Sequence, residues 1–138
     1  MRVERRLLGM KQSLIKEKSY SFALQIIRLY KSLLKQNEFI LSKQLLRSGT
    51  SIGANIEEAL AGQSRADFLA KMSIASKEAR ETNYWLRLIR DSETISKNEV
   101  EPLLTESESI AKILTSIVKT TAINNSELKI QNSKSPKI

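Results

Sequence analysis

Apolar residues recur at helical spacing in four successive segments of this chain, and that pattern constrains the fold more than any other feature. In residues 19–36, one row occupies the i, i+4, i+7 and i+11 positions of a helical face: Phe22, Ile26, Leu29 and Leu33. A second row follows one residue later: Ala23, Ile27, Tyr30 and Leu34. The apolar stripe is therefore wide, as expected for a helix that packs against two neighbours.

The same spacing predicts three further helices, over residues 39–62, 64–91 and 96–121. The third is predicted to begin at a capping box, in which Ser64 precedes Asp67 by three residues. With 4 Gly and 2 Pro in 138 residues, the chain has too few turn residues for an all-β fold. Four amphipathic helices with short connections predict an all-α protein, an antiparallel up-down-up-down four-helix bundle.

The second predicted helix contains two glycines, Gly49 and Gly53, in its interior. Each costs up to about 1 kcal/mol of helix stability relative to alanine. Such a cost is often accepted where a neighbouring backbone approaches closely. We therefore predict that both glycines face close-packed backbone.

The regular pattern covers residues 19–122 only. Residues 1–18 hold six basic and two acidic residues with a weak apolar stripe, and they are predicted to be a basic N-terminal extension. Residues 123–138 are polar and aperiodic, which predicts a disordered tail. The expected organisation is one bundle domain with an extension at each end.

The formal net charge of +8 is unevenly distributed along the chain. Residues 1–37 hold nine basic and two acidic residues, whereas residues 92–122 hold three basic and five acidic residues. A basic face of this kind attracts RNA or DNA. Arg28, Lys31 and Lys35 lie within two turns of a predicted helix that has no acidic residue, so they are candidate phosphate contacts. A solvated basic helix face explains the same residues equally well.

Most catalytic chemistry lacks its usual residues, because the chain contains neither His nor Cys. Five S-x-x-K matches lack the partner motifs of the enzymes that use them, and polar residues at i, i+3 on helices explain them. A metal site made only of carboxylates is conceivable on the two middle helices, but solvated or ion-paired side chains are favoured for Glu57, Glu58, Glu78 and Glu81. We predict no enzymatic activity, no cofactor and no metal.

The chain has no apolar run long enough for a transmembrane helix or a signal peptide. We therefore predict a cytoplasmic protein with no membrane partner.

A polar stripe accompanies the apolar stripe of the second helix: Arg47, Ser51, Asn55 and Glu58. Arginine and glutamate in such a stripe are suited to binding a ligand. The alternative is a polar network between helices or between subunits, since buried polar groups need partners and such networks fix register. We favour the network.

Two segments carry a family resemblance: LSKQLLRSGTSIGANIEEA at residues 41–59 and KEARETNYWL at residues 77–86. They resemble the bacterial four helix bundle protein family, also called 23S rRNA intervening-sequence proteins and sometimes labelled a ribosomal protein. The resemblance covers residues 17–121 and implies an antiparallel four-helix bundle that assembles as a homopentamer. Some members are encoded within intervening sequences of 23S rRNA genes. A related basic accessory protein of diversity-generating retroelements is linked to reverse transcriptase and nucleic acid.

The family has no agreed catalytic residues, so the resemblance implies none here. Its motif does include the four residues of the polar stripe. The sequence and the resemblance together favour a non-enzymatic, oligomeric protein that binds nucleic acid through a basic face. The alternative is a structural or adaptor protein that binds an unknown protein partner.

Overall fold

A computed structural model describes residues 2–134, which form four helices and contain no strand. Their bounds are Arg2–Lys35 (α1), Leu41–Ala61 (α2), Arg65–Asp91 (α3) and Lys97–Lys134 (α4). Each helix packs against the next in sequence, and α4 packs back against α1. Among the described helices, none is long and apolar enough to span a bilayer.

Neighbouring helices run antiparallel, as their cross-helix contacts show. Lys16 of α1 pairs with Glu57 near the end of α2, whereas a side chain ten residues later, Ile26, lies against Gly49. In each of the other three neighbouring pairs, a later residue of one helix likewise contacts an earlier residue of the other. The contacts are Arg47–Glu78 and Glu58–Lys71 between α2 and α3, Asn83–Ser107 and Arg90–Glu101 between α3 and α4, and Lys11–Ser116 and Lys18–Glu106 between α1 and α4. The predicted up-down-up-down bundle is confirmed.

The predicted apolar rows form the core. The first row of α1 is buried along its whole length, and the core side chains of the other helices meet it. Among them are Leu45, Ile52, Ile56, Met72, Leu86, Ile89, Ile110, Leu114 and Ile117. The second row of α1 is only half-buried in the single chain.

The turn between α1 and α2 satisfies the free backbone groups of both helices. Asn37 adopts a left-handed conformation with φ of 61°, and its N–H donates to the carbonyl of Leu34 while that of Glu38 donates to Leu33, both at 3.0 Å. This pair of bonds is a Schellman motif, and Asn tolerates its left-handed position better than most residues.

The carboxylate of Glu38 then caps the start of α2. It accepts bonds from the N–H groups of Ile40, Leu41 and Ser42 at 3.3, 2.9 and 2.6 Å. Partial burial alone would raise the pKa of Glu38, but these backbone hydrogen bonds outweigh it and hold the pKa below its ordinary value. The cap therefore stabilises the fold above the ordinary carboxyl pKa, and this contribution is lost as the pH falls through the lowered value.

The N-cap serine of the predicted capping box is in place at the start of α3. Ser64 precedes the helix in an extended conformation, and its side-chain oxygen accepts from the N–H of Asp67 at 3.1 Å.

Both expected extensions are corrected by the structure. Residues 2–18 are not separate from the bundle, since they continue α1 without a break and bury Ile15 completely. The predicted disordered tail is wrong for residues 123–134, which continue α4. The remaining residues of that tail, 135–138, lie outside the described part of the chain.

In these extra turns the two ends lie on either side of a common cleft. Leu8 and Gln12 of α1 are half-buried, as are Asn125 and Leu128 of α4, one and two turns beyond the buried Thr121. Their spacing is helical, but Gln12, Thr121 and Asn125 are polar. The helical spacing of apolar residues therefore does not reveal this face in the sequence.

The two interior glycines of α2 meet different neighbours on α1. A Cβ built at Gly53 would lie 3.6 Å from the carbonyl oxygen of Ser19, so this glycine faces backbone as predicted. A Cβ at Gly49 would lie 2.9 Å from side-chain carbons of Ile26. At Gly49 the expectation of facing backbone is therefore wrong, and the close neighbour is a core side chain.

Candidate nucleic-acid interface

Three cations form a row on the outer surface of α1, which we call the α1 row: Arg28, Lys31 and Lys35. All three side chains are exposed. They lie on the helix side opposite the buried residues Ile26 and Leu33. At a rise of 1.5 Å per residue the row spans about 10 Å.

Three of the other cations of α1 have partners. Lys16 pairs with Glu57 at 3.7 Å, Lys18 pairs with Glu106 at 2.8 Å, and Lys11 donates to the Ser116 hydroxyl at 2.7 Å. Within residues 2–134 the α1 row makes no ion pair. Arg2, Arg5 and Arg6 in the first turns of α1 are exposed and likewise make no ion pair within residues 2–134, so the α1 row is one of two unpaired cationic groups on this helix. Lys35 also has a structural role, because a cation in the last turn of a helix interacts favourably with the helix dipole.

The polar stripe of α2 lies along its contact with α3. The Arg47 guanidinium donates to Glu78 Oε2 at 3.4 Å and also bonds Glu81 Oε2. The indole N–H of Trp85 donates to that same Glu81 oxygen at 3.0 Å. Arg47 therefore holds two carboxylates of α3 against α2.

The rest of the stripe does not gather into one cluster with Arg47. Glu58 accepts from Lys71 of α3 at 2.8 Å, and this hydrogen bond raises the pKa of Lys71. Between the two ends, Asn55 donates to the carbonyl and hydroxyl oxygens of Ser51 at 2.8 and 3.0 Å, within α2 itself. A role for the stripe between subunits stays a prediction.

Sequence reasoning did not anticipate two polar contacts between helices. The Thr82 hydroxyl donates to Ser48 Oγ at 2.9 Å across α2 and α3, and the Asn83 amide donates to Ser107 Oγ at 2.9 Å across α3 and α4. Ser48 and Ser107 are fully buried. Both serines occupy core positions of the helical pattern, which indicates that they are buried. The sequence does not indicate which side chain each serine contacts.

The four carboxylates weighed as a metal site each face a cation. Glu57 meets Lys16, Glu58 meets Lys71, and the other two, Glu78 and Glu81, meet Arg47. In the described part of the chain, no group of three or more acidic residues is arranged to hold a metal ion.

A cleft of about 700 Å³ opens at the end of the bundle where α1 begins and α4 ends. Leu8, Phe68 and Leu128 contribute its apolar lining. Its charged lining is balanced, with Arg5 and Arg65 against two acids, Glu4 and Glu127. The cleft therefore lacks the net charge that attracts a polyanion, unlike the α1 row.

The fold and surface define a small antiparallel four-helix bundle protein that carries an exposed cationic row. The sequence profile described as 23S rRNA-intervening sequence protein matches residues 11–116. The chain belongs to this family, which confirms the resemblance found in the sequence.

The chain is also similar to a solved structure, a protein of unknown function from the S23 ribosomal protein family of Bacteroides thetaiotaomicron. The two are 53% identical with a TM-score of 0.76, and the likeness covers 79% of this chain and 98% of that one. No curated protein matches the chain. Neither the family description nor that of the solved neighbour names an enzyme.

Proposed function

We propose that the protein is a non-enzymatic, cytoplasmic bundle protein that binds RNA through the α1 row. The observation that carries this proposal is that the α1 row is exposed and has no acidic partner within residues 2–134, whereas Lys16 and Lys18 of the same helix are ion-paired. The family description, which names 23S rRNA, and the ribosomal family of the solved neighbour support RNA over other polyanions.

The row binds phosphates without reading sequence. Cations that neutralise phosphates release condensed counterions, so affinity falls steeply with salt. Contacts to phosphate position the protein on the RNA but carry no sequence information. Binding through the α1 row alone is therefore salt-dependent and tolerant of sequence.

Replacing Arg28, Lys31 and Lys35 together with Gln is expected to flatten the salt dependence of RNA binding. Each lost contact removes about 0.7 from the slope of log K against log salt for single strands, so the slope falls by about two units. The measurement is a salt-series titration with an unstructured RNA, with circular dichroism to verify folding.

A matched control removes the same charge elsewhere, by replacing Lys43, Lys112 and Lys119 with Gln. These lysines are exposed on α2 and α4. Equal slopes for the two triple variants would remove the α1 row from the interface. Absence of wild-type binding at about 50 mM salt, where such contacts are strong, would leave the adaptor function as the better explanation.

We further propose that the protein self-associates, as the homopentamer that the family resemblance implies. The second apolar row of α1 is half-exposed in the single chain. An additional apolar row is exposed on the first turns of α1: Val3, Leu7, Met10 and Leu14. Light scattering is expected to give a mass near five times 15.6 kDa. A monomer at micromolar concentration would refute self-association.

A further inference from the structure

The outward surface of α3 carries a second basic row, which has an aromatic residue in its middle. Lys77, Arg80, Tyr84 and Arg87 follow the i, i+3, i+7 and i+10 positions of one helical face, and all four are exposed. We call these four residues the α3 face. Tyr84 retains 46% of its accessible surface, so its ring is open to a ligand.

The acidic residues in the middle of α3 do not neutralise this face. Glu78 and Glu81 turn toward α2, where Arg47 binds both. Asp91, at the end of α3, is held by Arg90 at 2.8 Å. Within residues 2–134, Lys77 and Arg80 make no ion pair or hydrogen bond. In the middle of α3 the two acids therefore lie toward α2, and Lys77 and Arg80 face solvent. At the ends of the helix the order differs, since Lys71 pairs with Glu58 of α2 and the exposed Asp91 lies near Arg87.

Tyr84 and Arg87 are held in place by their neighbours. The Tyr84 ring meets the half-buried Trp85 edge-to-face, with centroids 5.2 Å apart and planes at 68°, and Trp85 is itself anchored on Glu81. The Arg87 guanidinium lies 5.8 Å from the Tyr84 ring centroid, and its Nε donates to Asn83 Oδ1 at 3.0 Å. A ligand that meets side chains already fixed in place loses less conformational entropy on binding.

We propose that the α3 face binds an unpaired stretch of RNA, with a base stacked on Tyr84 and phosphates against Lys77, Arg80 and Arg87. This inference rests on the proposed RNA-binding function and adds that the protein prefers unpaired RNA to duplex RNA. Aromatic side chains stack on unpaired bases, whose faces a duplex hides. The α3 face spans about 15 Å at 1.5 Å per residue, which accommodates a few nucleotides. The α1 row contributes phosphate contacts without this selection, because its three members are all cations.

The test compares Tyr84→Leu with Tyr20→Leu, a matched loss of an exposed tyrosine from α1, where Tyr20 is 65% exposed. Binding is measured by fluorescence anisotropy with an unstructured 12-nucleotide RNA and with an RNA hairpin of equal charge. Stacking of one base predicts that Tyr84→Leu weakens single-strand binding about tenfold and hairpin binding less than twofold. Tyr20→Leu is expected to change neither. Tyr84→Phe keeps the ring and is expected to keep single-strand affinity.

A second variant tests the cations of the same face. Replacing Lys77 and Arg80 with Gln is expected to reduce the single-strand salt slope by about 1.4, at about 0.7 for each contact. Circular dichroism verifies that each variant folds.

The outcomes separate this inference from the function on which it rests. If the wild type binds RNA but Tyr84→Leu behaves like Tyr20→Leu, the proposed role of the α3 face is refuted and the proposal of RNA binding stands. If Tyr84→Phe loses affinity as Tyr84→Leu does, stacking is wrong. If the wild type binds neither RNA, both proposals fall.

Discussion

Gly49→Leu is expected to lower the free energy of unfolding by about 3 kcal/mol, at the upper end of the usual cost of overpacking a core. A Cβ at this position would already lie 2.9 Å from two carbons of Ile26 and 3.2 Å from a third. Both residues are fully enclosed between α1 and α2. Because Ile26 is β-branched and restricted at χ1, it cannot turn aside, and the helices must separate to admit a larger side chain.

The neighbouring glycine provides an internal comparison. A Cβ at Gly53 would make only ordinary contacts, the nearest at 3.5 Å from the Ser19 hydroxyl. Gly53→Ala is therefore expected to raise stability by up to about 1 kcal/mol through helix propensity. Gly49→Ala brings the same propensity gain but is expected to destabilise, because its methyl group requires Ile26 to move.

Urea unfolding at one fixed protein concentration measures these differences without confusing them with self-association. The midpoint is expected to fall for both Gly49 variants and to rise for Gly53→Ala. A wild-type midpoint for Gly49→Leu would show that α1 and α2 are not packed as closely as the structure places them.

Much of the bundle was predictable because its core consists of apolar residues in regular rows. The inward face of α1 can be identified from the sequence alone, by the helical spacing of Phe22, Ile26, Leu29 and Leu33. The contacts of Arg47 were not predictable in the same way. Its pairing with Glu78 and Glu81 depends on the alignment of α2 against α3, and the spacing within either helix does not determine that alignment.

The α3 face could not be predicted from the sequence for a different reason: the net charge of a helix does not show how its charged residues are distributed around the helix. Residues 65–91 hold six basic and four acidic residues, a modest balance that does not indicate a basic surface. The structure places Glu78 and Glu81 on the α2 side and leaves Lys77 and Arg80 to solvent. The α1 row was visible in the sequence because its helix segment contains no acids to be sorted.

Deletion of residues 122–138 is expected to remove helix and to destabilise the remaining protein. The end of α4 lies beside the start of α1, where Leu8 and Leu128 are each half-buried and both line the cleft at that end of the bundle. Loss of this contact exposes apolar surface equivalent to about one leucine, a cost of about 1.5–3 kcal/mol. The first turns of α1 also lose their neighbour, and short helices without tertiary contacts are marginal in water.

Circular dichroism at 222 nm and the thermal midpoint, compared per molecule with the full chain, measure both effects. The matched control deletes residues 135–138 alone, which leaves every described turn of α4 in place and provides the reference for the long deletion. Leu128→Ser separates packing from length, because it keeps the chain intact and removes the apolar contact. If the long deletion leaves the helical signal per molecule unchanged, residues 122–134 contribute no helix in solution, and a disordered tail is the better description. If the signal falls but Leu128→Ser has a wild-type midpoint, the end of α4 is helical without stabilising α1.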